Sequence, residues 1–501
     1  MPVFAKQPDP VITHLIETVS GFSGNRPVYL VGGAVRDLML GRPCRDLDFS
    51  MAADVRPLAR RVANALKGDF FMLDDERNTA RVITSQAGSR FYLDFAILRG
   101  GNIEEDLRGR DFSINAMALS LLQPDRLLDP TGGVNDLQNG LLQACSPGAF
   151  RDDPVRVLRG VRLSVAFHFS LEPATLDAMR KAVPLLEAVS IERQRDELFH
   201  MLEGNEVRQA IELLDELGVI ERLLPELPGM KGVTQGHPHI HDVWEHTLVL
   251  LQELEAVYSA LVEGYNNGAC EKRPELRLAV EKLGRFSSAL ADHFNRQLNP
   301  GRSLRGLLFL AALYHDIAKP ATRLLEADGR IHFLGHEAEG ARAAASRAQT
   351  LALSQAEIQR VEAEVQEHMR IHLLAMAPEL PTRRAVYRFF RSTGPAGVEI
   401  CLLTLADTLA TYGETLAMET WQAELDICRI LLEAWFEHPG EVVNPPRLVT
   451  GDDLLEQFKM TPGPIVGELL AAIHEAQAGG EITDRQQALA FANNWLERKG
   501  K

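Results

Sequence analysis

Strand-like segments are almost confined to the part of this chain before residue 150, and helical periodicity dominates the rest. Short apolar runs bounded by turn residues predict strands at 28–33, 47–50, 70–73, 79–84 and 90–98, with a helix at 55–66. Apolar residues at helical spacing predict later helices at 154–167, 192–202, 207–217, 244–257, 304–317, 356–373 and 397–410. The predicted fold class is therefore α+β, with a small mixed-sheet head followed by an all-helical body.

The net charge of −16 excludes a uniformly basic nucleic-acid-binding protein, but the charge is unevenly distributed. Residues 1–200 hold 24 Lys and Arg against 26 Asp and Glu, whereas the remaining residues hold 29 against 43. No apolar run is long enough for a membrane span, and the N-terminus lacks a signal-peptide pattern. The cysteines are scattered without metal-site spacing: Cys44, Cys145, Cys270, Cys401 and Cys428. These features predict a cytoplasmic protein that has no membrane partner.

A paired-glycine turn lies between the first predicted strand and the helix after it. Gly32 and Gly33 stand in the string Val31-Gly-Gly-Ala-Val-Arg36-Asp37. Paired glycines let backbone amides approach a phosphate, and a helix N-terminus favours an anion. A plain tight turn is the alternative interpretation of this string alone.

Two aspartates follow the glycine turn on the next predicted strand. Residues i and i+2 of a strand share a face, so the carboxylates of Asp46 and Asp48 project together. Asp94 lies within an apolar strand, where an unpaired carboxylate is costly, and is a candidate third member. Such carboxylates can hold the two Mg²⁺ ions of phosphoryl or nucleotidyl transfer, although a lone Asp-x-Asp is more often a solvated pair.

Two further strings combine arginine with aspartate. The first contains Arg110, Asp111 and Asn115, and arginine donors in such a string suit triphosphate and ribose oxygens. In the second, Asp153 precedes arginines at helical spacing, and this set suits phosphate and base binding: Arg156, Arg159 and Arg162. Taken separately, each string could also be a surface ion-pair network or a solvated helix face.

In this order, the four motifs resemble the class II tRNA nucleotidyltransferases, the family of CCA-adding enzymes and bacterial poly(A) polymerases. The resemblance implies a polymerase-beta-like head that binds CTP and ATP, acts on the tRNA 3′ end, and holds Mg²⁺ at Asp46 and Asp48, with Asp94 as the third carboxylate. It also implies a set of nucleotide-binding residues: Gly32, Gly33, Arg36, Arg110, Asp111, Asn115, Asp153, Arg156, Arg159 and Arg162.

Two features within this resemblance bear on nucleotide choice. The family has a helix whose side chains replace a base template, and the matching segment here is 190–197, where Arg193 and Asp196 lie three apart on one side of a helix. Family members that add the final A carry a sizeable loop after the third-carboxylate strand. Here only residues 99–105 occupy that place, which resembles CC-adding members.

Histidines and aspartates in the body form a second candidate site. His315 and Asp316 lie in an apolar helix that ends near Pro320, where buried polar groups need partners. With other helical residues they resemble the HD phosphohydrolase superfamily, which implies a divalent transition metal held by a set of ligands: His246, His315, Asp316, Asp407 and the accessory His336 and His368. The implied activity is a metal-dependent phosphatase or phosphodiesterase, and the alternative is a degenerate HD fold kept as a scaffold.

The predicted organisation has four parts: a nucleotidyltransferase head at 1–145, a helical RNA-binding neck at 146–235, an HD domain at 236–415 and a helical tail at 416–501. Segments 224–241 and 438–447 are predicted linkers, and 265–274 is a predicted surface loop. The histidines of the first linker, His237, His239 and His241, are more consistent with a linker than with the metal site.

The leading functional hypothesis is a nucleotidyltransferase that adds CCA, or part of it, to tRNA. A CC-adding enzyme, an A-adding enzyme and a poly(A) polymerase stay open, as does the oligomeric state. A hypothesis of a different class is a nucleotide phosphohydrolase acting through the HD site. A non-catalytic RNA-binding protein is disfavoured, because carboxylates lie where a binder needs cations.

Overall fold

The structure is a computed structural model that describes residues 9–264 and 272–499. Cys270 and most of the predicted loop at 265–274 lie outside the described residues. The chain divides into two compact units, Met1–Glu197 and Leu198–Lys501. The α+β prediction is confirmed, since the first unit contains a mixed sheet and the second is mostly helical. The finer division into four parts stays a prediction.

The first part of unit 1 alternates strands and helices much as the sequence predicts. Its elements are α1 Pro10–Ser23, β1 Val28–Val31, α2 Gly33–Leu40, β2 Asp46–Met51, α3 Arg56–Leu66, β3 Asp69–Asp74, β4 Thr79–Gln86, β5 Ser89–Ile97, α4 Ile103–Arg108, β6 Ala118–Ser120 and β7 Leu127–Leu128. The following elements are α5 Gly133–Asn139, β8 Leu141–Leu142, α6 Ala149–Asp152, α7 Arg156–Phe167, β9 Ser170–Leu171, α8 Pro173–Ala182 and α9 Ile191–Leu202, whose last turn continues into unit 2.

A seven-stranded sheet in the order β3-β4-β5-β2-β1-β6-β7 forms the centre of unit 1. Strands β2 and β5 pair in parallel, and the other neighbours are antiparallel. Alternate side chains of β2, β4 and β5 are buried, α3 packs on β4, and α1 packs on α3. The rings of Phe49 and Phe95 stack 5.2 Å apart. The opposite face of these strands therefore carries the alternate, polar positions, including Asp48 and Asp94.

Unit 2 is built from helices, with two short hairpins. Its helices are α10 Val207–Glu216, α11 Ile220–Leu223, α12 Val243–Tyr258, α13 Pro274–Leu283, α14 Ser287–Phe294, α15 Leu304–Tyr314, α16 Lys319–Thr322, α17 His336–Thr350, α18 Gln355–Glu367, α19 Arg370–Ala375, α20 Arg383–Thr393, α21 Gly397–Tyr412, α22 Met418–Phe436, α23 Gly451–Phe458, α24 Pro464–Ala478 and α25 Arg485–Lys499. The hairpins pair β10 Gln297–Asn299 with β11 Arg302–Ser303, and β12 Arg323–Leu325 with β13 Ile331–Phe333.

The centre of unit 2 lies around α12, α15 and α21, which pack against one another. Every residue of α15 is buried, so this helix is apolar all round rather than amphipathic. The helix predicted at 356–373 is instead two helices, α18 and α19, with His368 in the break. The predicted linkers also contain short helical turns at Leu227–Met230 and Pro439–Val443.

Candidate functional site

A cavity of about 530 Å³ lies in unit 1 over the polar face of the sheet. Its lining contains most residues that the sequence singled out there: Gly32, Gly33, Arg36, Asp48, Asp94, Arg110, Asp111, Asn115, Asp153, Arg156, Arg159, Arg162 and Arg193. Asp46 and Asp196 do not line it. Carboxylates and guanidinium groups share this cavity, which suits a ligand that carries both metal ions and phosphates.

The carboxylates lie on neighbouring strands. Asp48 of β2 is directly opposite Asp94 of the parallel strand β5, and Asp46 is two residues before Asp48 at the exposed start of β2. Burial, followed by the negative charges of Asp94 and Asp46, raises the pKa of Asp48 to about 6. The pKa of Asp46 is also raised, by burial and by Asp94. Neighbouring carboxylates thus disfavour the ionised forms of Asp46 and Asp48, and a divalent cation bound among them would relieve this repulsion.

Asp94 has a partner that the sequence analysis did not identify. Its two oxygens accept bonds from Arg81 of β4, from Nε at 2.8 Å and from Nη2 at 2.7 Å. The pair is half-buried, with side-chain exposures of 37% for Arg81 and 30% for Asp94. Arg81 thus fixes the orientation of the carboxylate that faces Asp48.

Gly32 allows other groups to approach the backbone closely at the N-terminus of α2. Its φ is +72° with ψ −140°, a conformation in which residues with a side chain are strained. A Cβ built there would lie 2.9 Å from Nη1 of Arg110 and 3.5 Å from Oδ2 of Asp48. The glycine therefore keeps open the space between Asp48, Arg110 and the N-terminus of the helix, and phosphate binding by this turn stays a prediction.

A chain of hydrogen bonds orders the polar groups on one side of the cavity. Nη1 of Arg36 donates to Oδ1 of Asn115 at 2.5 Å, and the Asn115 amide donates to Asp111 at 3.3 Å. Asp111 also accepts from Nη1 of Arg159 at 3.2 Å. Burial alone would raise the pKa of Asp111, but Arg159 and the hydrogen bonds lower it below its usual value. Asp111 therefore stays ionised and acts as the anchor of this network.

The three arginines of α7 have two kinds of partner, backbone carbonyl oxygens and side-chain carboxylates. Arg156 is buried and donates to the carbonyl oxygens of Gly109, Arg110 and Ala149, so it ties α7 to the loop that carries Arg110. Arg159 and Arg162 both donate to Glu197 of α9, at 3.0 and 2.8 Å. Burial opposes the ionised form of Glu197, but these arginines lower its pKa.

The two residues predicted to present a base-pairing edge are not brought together. Arg193 lines the cavity and bonds to Asp153 at 2.7 Å. Asp196 instead accepts bonds from its neighbour Arg195, at 3.0 and 2.8 Å, and its side chain is 54% exposed. Within the cavity, Arg193 therefore forms an ion pair with Asp153, which precedes the arginines of α7, and not with Asp196.

A second constellation lies inside unit 2, where six sequence-predicted ligands converge. His246, His315 and Asp407 have ligand atoms within 4.8 Å of one another, and so do Asp316, His336 and His368. All six side chains are buried. Asp316 lies between the two groups, with Oδ2 3.2 Å from Nε2 of His315 and Oδ1 3.6 Å from Nε2 of His336.

The imidazoles are oriented for metal binding. Nδ1 of His315, His336 and His368 each lies 2.7 Å from the carbonyl oxygen three residues before it. Each Nδ1–H therefore donates to backbone, of α15 for His315, of β13 for His336 and of α18 for His368, which leaves Nε2 as the acceptor that a cation needs. Nε2 of buried His246 lies 3.0 Å from Oδ1 of Asp407, and Nε2 of buried His315 lies 3.2 Å from Oδ2 of Asp316, but neither contact has hydrogen-bond geometry. This donor set fits a divalent cation in each group.

Four more residues lie around this constellation: His372, Glu424, Lys319 and His239. Nε2 of His372 lies 2.9 Å from Oδ2 of Asp407, and its Nδ1 lies 2.8 Å from Glu424. Burial opposes a charged ring, but these carboxylates raise the pKa of His372 to about 10. Lys319 also contacts the site, with Nζ 2.6 Å from Asp316. His239, predicted to belong to a linker, has its ring 5.3 Å from that of His246 and so lies beside the site.

Comparisons with known proteins agree with both sites. The family model of the poly A polymerase head domain matches residues 28–143, and that of the HD domain matches 283–412. An A-adding tRNA nucleotidyltransferase of Deinococcus radiodurans is 34% identical, over 93% of this chain and 95% of its own length. A CC-adding tRNA nucleotidyltransferase of Geobacter sulfurreducens is 31% identical, over 97% and 95%.

The chain belongs to the tRNA nucleotidyltransferase family. It is an enzyme of that class, as the sequence motifs predict. Its fold is also that of a CCA-adding enzyme solved with ATP, at a TM-score of 0.59 and 21% identity, over 98% of this chain and 96% of that one. A Thermotoga maritima CCA-adding enzyme solved with tRNA matches at a TM-score of 0.55 and 21% identity, over 99% and 100%.

Several residues of the nucleotidyltransferase site were not assigned from sequence. Arg81 had no recognisable motif, but its position opposite Asp94 would follow from the register of β4 and β5. Asp106 and Arg99 line the cavity, and Asp106 accepts a bond from Arg110 at 3.0 Å. Glu197 lies in the predicted base-reading segment 190–197, but no sequence pattern indicates its bonds to Arg159 and Arg162. Among residues 9–264 and 272–499, no helix has the length and apolar character that crossing a bilayer requires.

Proposed function

We propose that this nucleotidyltransferase adds CC to the 3′ end of tRNA from CTP in the cytoplasm, with Mg²⁺ held by Asp46, Asp48 and Asp94. One observation supports this assignment most directly. Asp48 and Asp94 face each other across paired strands in a cavity that also contains arginines. That is the combination that transfer of a nucleotide from a triphosphate requires.

The residues of the cavity have separable tasks in this reaction. Bound cations would lower the pKa of the acceptor hydroxyl and stabilise charge on the transferred phosphate. Asp48 and Asp94 hold those cations, and Arg81 keeps the Asp94 carboxylate turned toward Asp48. Arg36 and Arg110 supply fixed donors for the triphosphate near the open backbone of Gly32.

The remaining arginines of the cavity are suited to contact the base and the ribose of the nucleotide. Arg159 and Arg162 are held by Glu197, and Arg193 pairs with Asp153 at the same cavity. Ion pairing fixes the side chains before a nucleotide enters, so less conformational entropy is lost on binding. Arg193 and Asp153 are the pair that this geometry favours for contact with a base edge, and a role for Asp196 would require it to leave Arg195.

The proposal of CC addition rests on the connection after β5. Strand β5 ends at Ile97 and α4 begins at Ile103, so only residues 98–102 join them. The resemblance to CC-adding members lies in this short connection. A-adding activity is the second candidate, because the relative from Deinococcus radiodurans is named an A-adding enzyme and aligns with this chain over 95% of its own length.

The test uses tRNA transcripts that end at the discriminator base, at C and at CC, each offered with CTP alone, ATP alone or both. We expect CTP to extend the first two transcripts to CC and ATP to extend none. Extension of the CC transcript by one A assigns A addition, extension of all three assigns CCA addition, and a long A tail assigns a poly(A) polymerase. No extension of any transcript by wild type with Mg²⁺ would refute nucleotidyl transfer.

We further propose that unit 2 is a metal-dependent phosphohydrolase in which the two ligand groups would hold divalent transition metal. The observation that favours it is that Nε2 of buried His246 and of buried His315 each lies beside a carboxylate oxygen without forming a hydrogen bond. The expected substrates are 2′,3′-cyclic and 2′-phosphate esters of nucleotides, and the test measures phosphate release after loading with Mn²⁺, Ni²⁺ or Co²⁺.

Loss of this release in His315→Ala, together with its retention in Asp48→Ala, supports the assignment. Metal analysis gives a second measurement, because His336→Ala should lower the bound metal without removing all of it. Release that survives in His315→Ala would refute the phosphohydrolase. We propose that these activities reside in a chain of four parts: the head at 1–145, the neck at 146–235, the HD domain at 236–415 and the tail at 416–501.

A further inference from the structure

The sheet of unit 1 has an uncovered face that continues beyond the catalytic carboxylates. Four strands place residues directly opposite one another in a row: Phe71 of β3, Arg81 of β4, Asp94 of β5 and Asp48 of β2. Directly paired residues project to the same face, so this row joins an edge-strand aromatic residue to the carboxylate pair. The intervening positions of β4 and β5 are buried on the opposite face.

The outer end of this row is exposed and apolar. The Phe71 side chain is 50% exposed, and Leu73, at the irregularity that follows in β3, is 53% exposed. Tyr92 lies one row away on the same face as Asp94, and the guanidinium carbon of Arg81 lies 5.4 Å from the centre of its ring. An exposed ring at Phe71, a partly exposed ring at Tyr92 and a fixed guanidinium plane at Arg81 are groups on which unpaired bases can stack.

The bidentate bond to Asp94 makes Arg81 part of this surface. Because two of its nitrogens are bonded to the carboxylate, the guanidinium is held in one plane beside Tyr92. A planar group that is already fixed loses little entropy when a base packs against it. Asp69 lies at the exposed start of β3. Its charge disfavours a backbone phosphate at that end, so contacts there are expected with bases rather than with phosphates.

We propose that this surface, defined by Phe71, Arg81 and Tyr92, binds the unpaired nucleotides that precede the 3′ end of the acceptor RNA. The inference rests on the proposed nucleotidyl transfer, which places the 3′-hydroxyl at Asp48 and Asp94. Three strand spacings separate Asp48 from Phe71, roughly 14 Å, which a few nucleotides of single strand span. The surface is continuous with the reaction site, and this continuity selects the RNA strand as its occupant.

The test is steady-state extension of tRNA by Phe71→Ala and Phe71→Trp. Loss of one stacked base should raise the KM for tRNA at least about fivefold in Phe71→Ala, with little change in kcat or in the KM for nucleotide. Phe71→Trp should restore the wild-type KM, because it keeps a stacking ring. The matched control is Leu122→Ala, which removes an apolar side chain that is 46% exposed on another part of the same unit.

A second acceptor separates base stacking from other effects of the substitution. In a tRNA whose last unpaired nucleotides lack their bases, wild type and Phe71→Ala should have the same KM. An unchanged KM for intact tRNA in Phe71→Ala would overturn the inference, as would an equal rise in Leu122→Ala.

Light scattering of wild type and of the Phe71→Ala, Leu73→Ala double variant tests a second copy of the chain as the occupant. A wild-type dimer that dissociates in the double variant, with no change in KM for tRNA, would overturn the inference in favour of self-association. If wild type extends no RNA, the proposed function has failed. If wild type extends RNA and Phe71→Ala does so equally well, only this inference has failed.

Discussion

Substitution of Gly32 by alanine tests the phosphate-binding turn, and the structure supplies a matched control. Gly32 has φ +72° and ψ −140°, and Gly24, at the end of α1, has the similar values +60° and −132°. An alanine at either position suffers the same backbone strain, about 1–3 kcal/mol. The two sites differ in their surroundings, because a Cβ at Gly24 meets nothing within 4 Å, whereas one at Gly32 lies 2.9 Å from Arg110.

We therefore expect equal losses of stability but unequal losses of activity. Urea unfolding should show that each variant loses about 1–3 kcal/mol from the free energy of unfolding of unit 1. Only Gly32→Ala should raise the KM for nucleotide, because its methyl group displaces the Arg110 guanidinium and occupies the approach to the helix N-terminus. The assay is extension of a tRNA transcript at a series of CTP concentrations in excess Mg²⁺.

Two results would refute this reasoning. If Gly24→Ala and Gly32→Ala lowered transfer equally, strain alone would account for the effect and the turn would have no special role. If Gly32→Ala kept the wild-type KM for nucleotide while losing stability, the triphosphate would not approach this backbone. Arg110 is the side chain that must move, so a shift confined to kcat would also contradict the proposed contact.

Three further outcomes are expected. In chelating buffer, the raised pKa of Asp48 should lower the free energy of unfolding as the pH rises from about 4 to 6. Asp48→Asn should therefore gain up to about 3 kcal/mol at pH 8 in urea unfolding, and the absence of any gain would contradict this linkage. Glu197→Gln should weaken the bonds to Arg159, cost about 1–3 kcal/mol and raise the KM for nucleotide, which a titration with CTP checks. Glu357→Gln should cost unit 2 about 3–5 kcal/mol in urea unfolding, since buried Arg302 would lose the carboxylate that accepts bonds from two of its nitrogens, and unchanged transfer kinetics would show that the effect is local.

Motifs whose chemistry depends on neighbours along the chain could be predicted from sequence. The glycine turn, the strand of Asp46 and Asp48 and the arginines of α7 need only local periodicity to be recognised, and the structure places Gly32, Asp48 and Arg156 in one cavity. The fold class was likewise predictable, because alternation and helical spacing are local patterns. The full ligand set of unit 2 was predictable only through resemblance, since its members are scattered from His246 to Asp407.

Partners that come from distant segments were not predictable. Arg81 bonds to Asp94 because β4 and β5 pair in one particular register, and a shift of one residue would turn Arg81 to the other face. Glu197 meets Arg159 only because α9 packs beside α7. The pairing of Arg193 with Asp153, rather than a pairing with Asp196, depends on that same packing.

The sequence by itself thus determined which residue types are available for each chemistry and on which local element they lie. Tertiary structure decided which of them meet, which are held fixed by an ion pair and which stay exposed. The physical reason is range: helical and strand periodicity act over a few residues, whereas strand register and helix packing join residues far apart in the chain. Phe71 shows this most clearly, because only the sheet places it in the same row as Asp48.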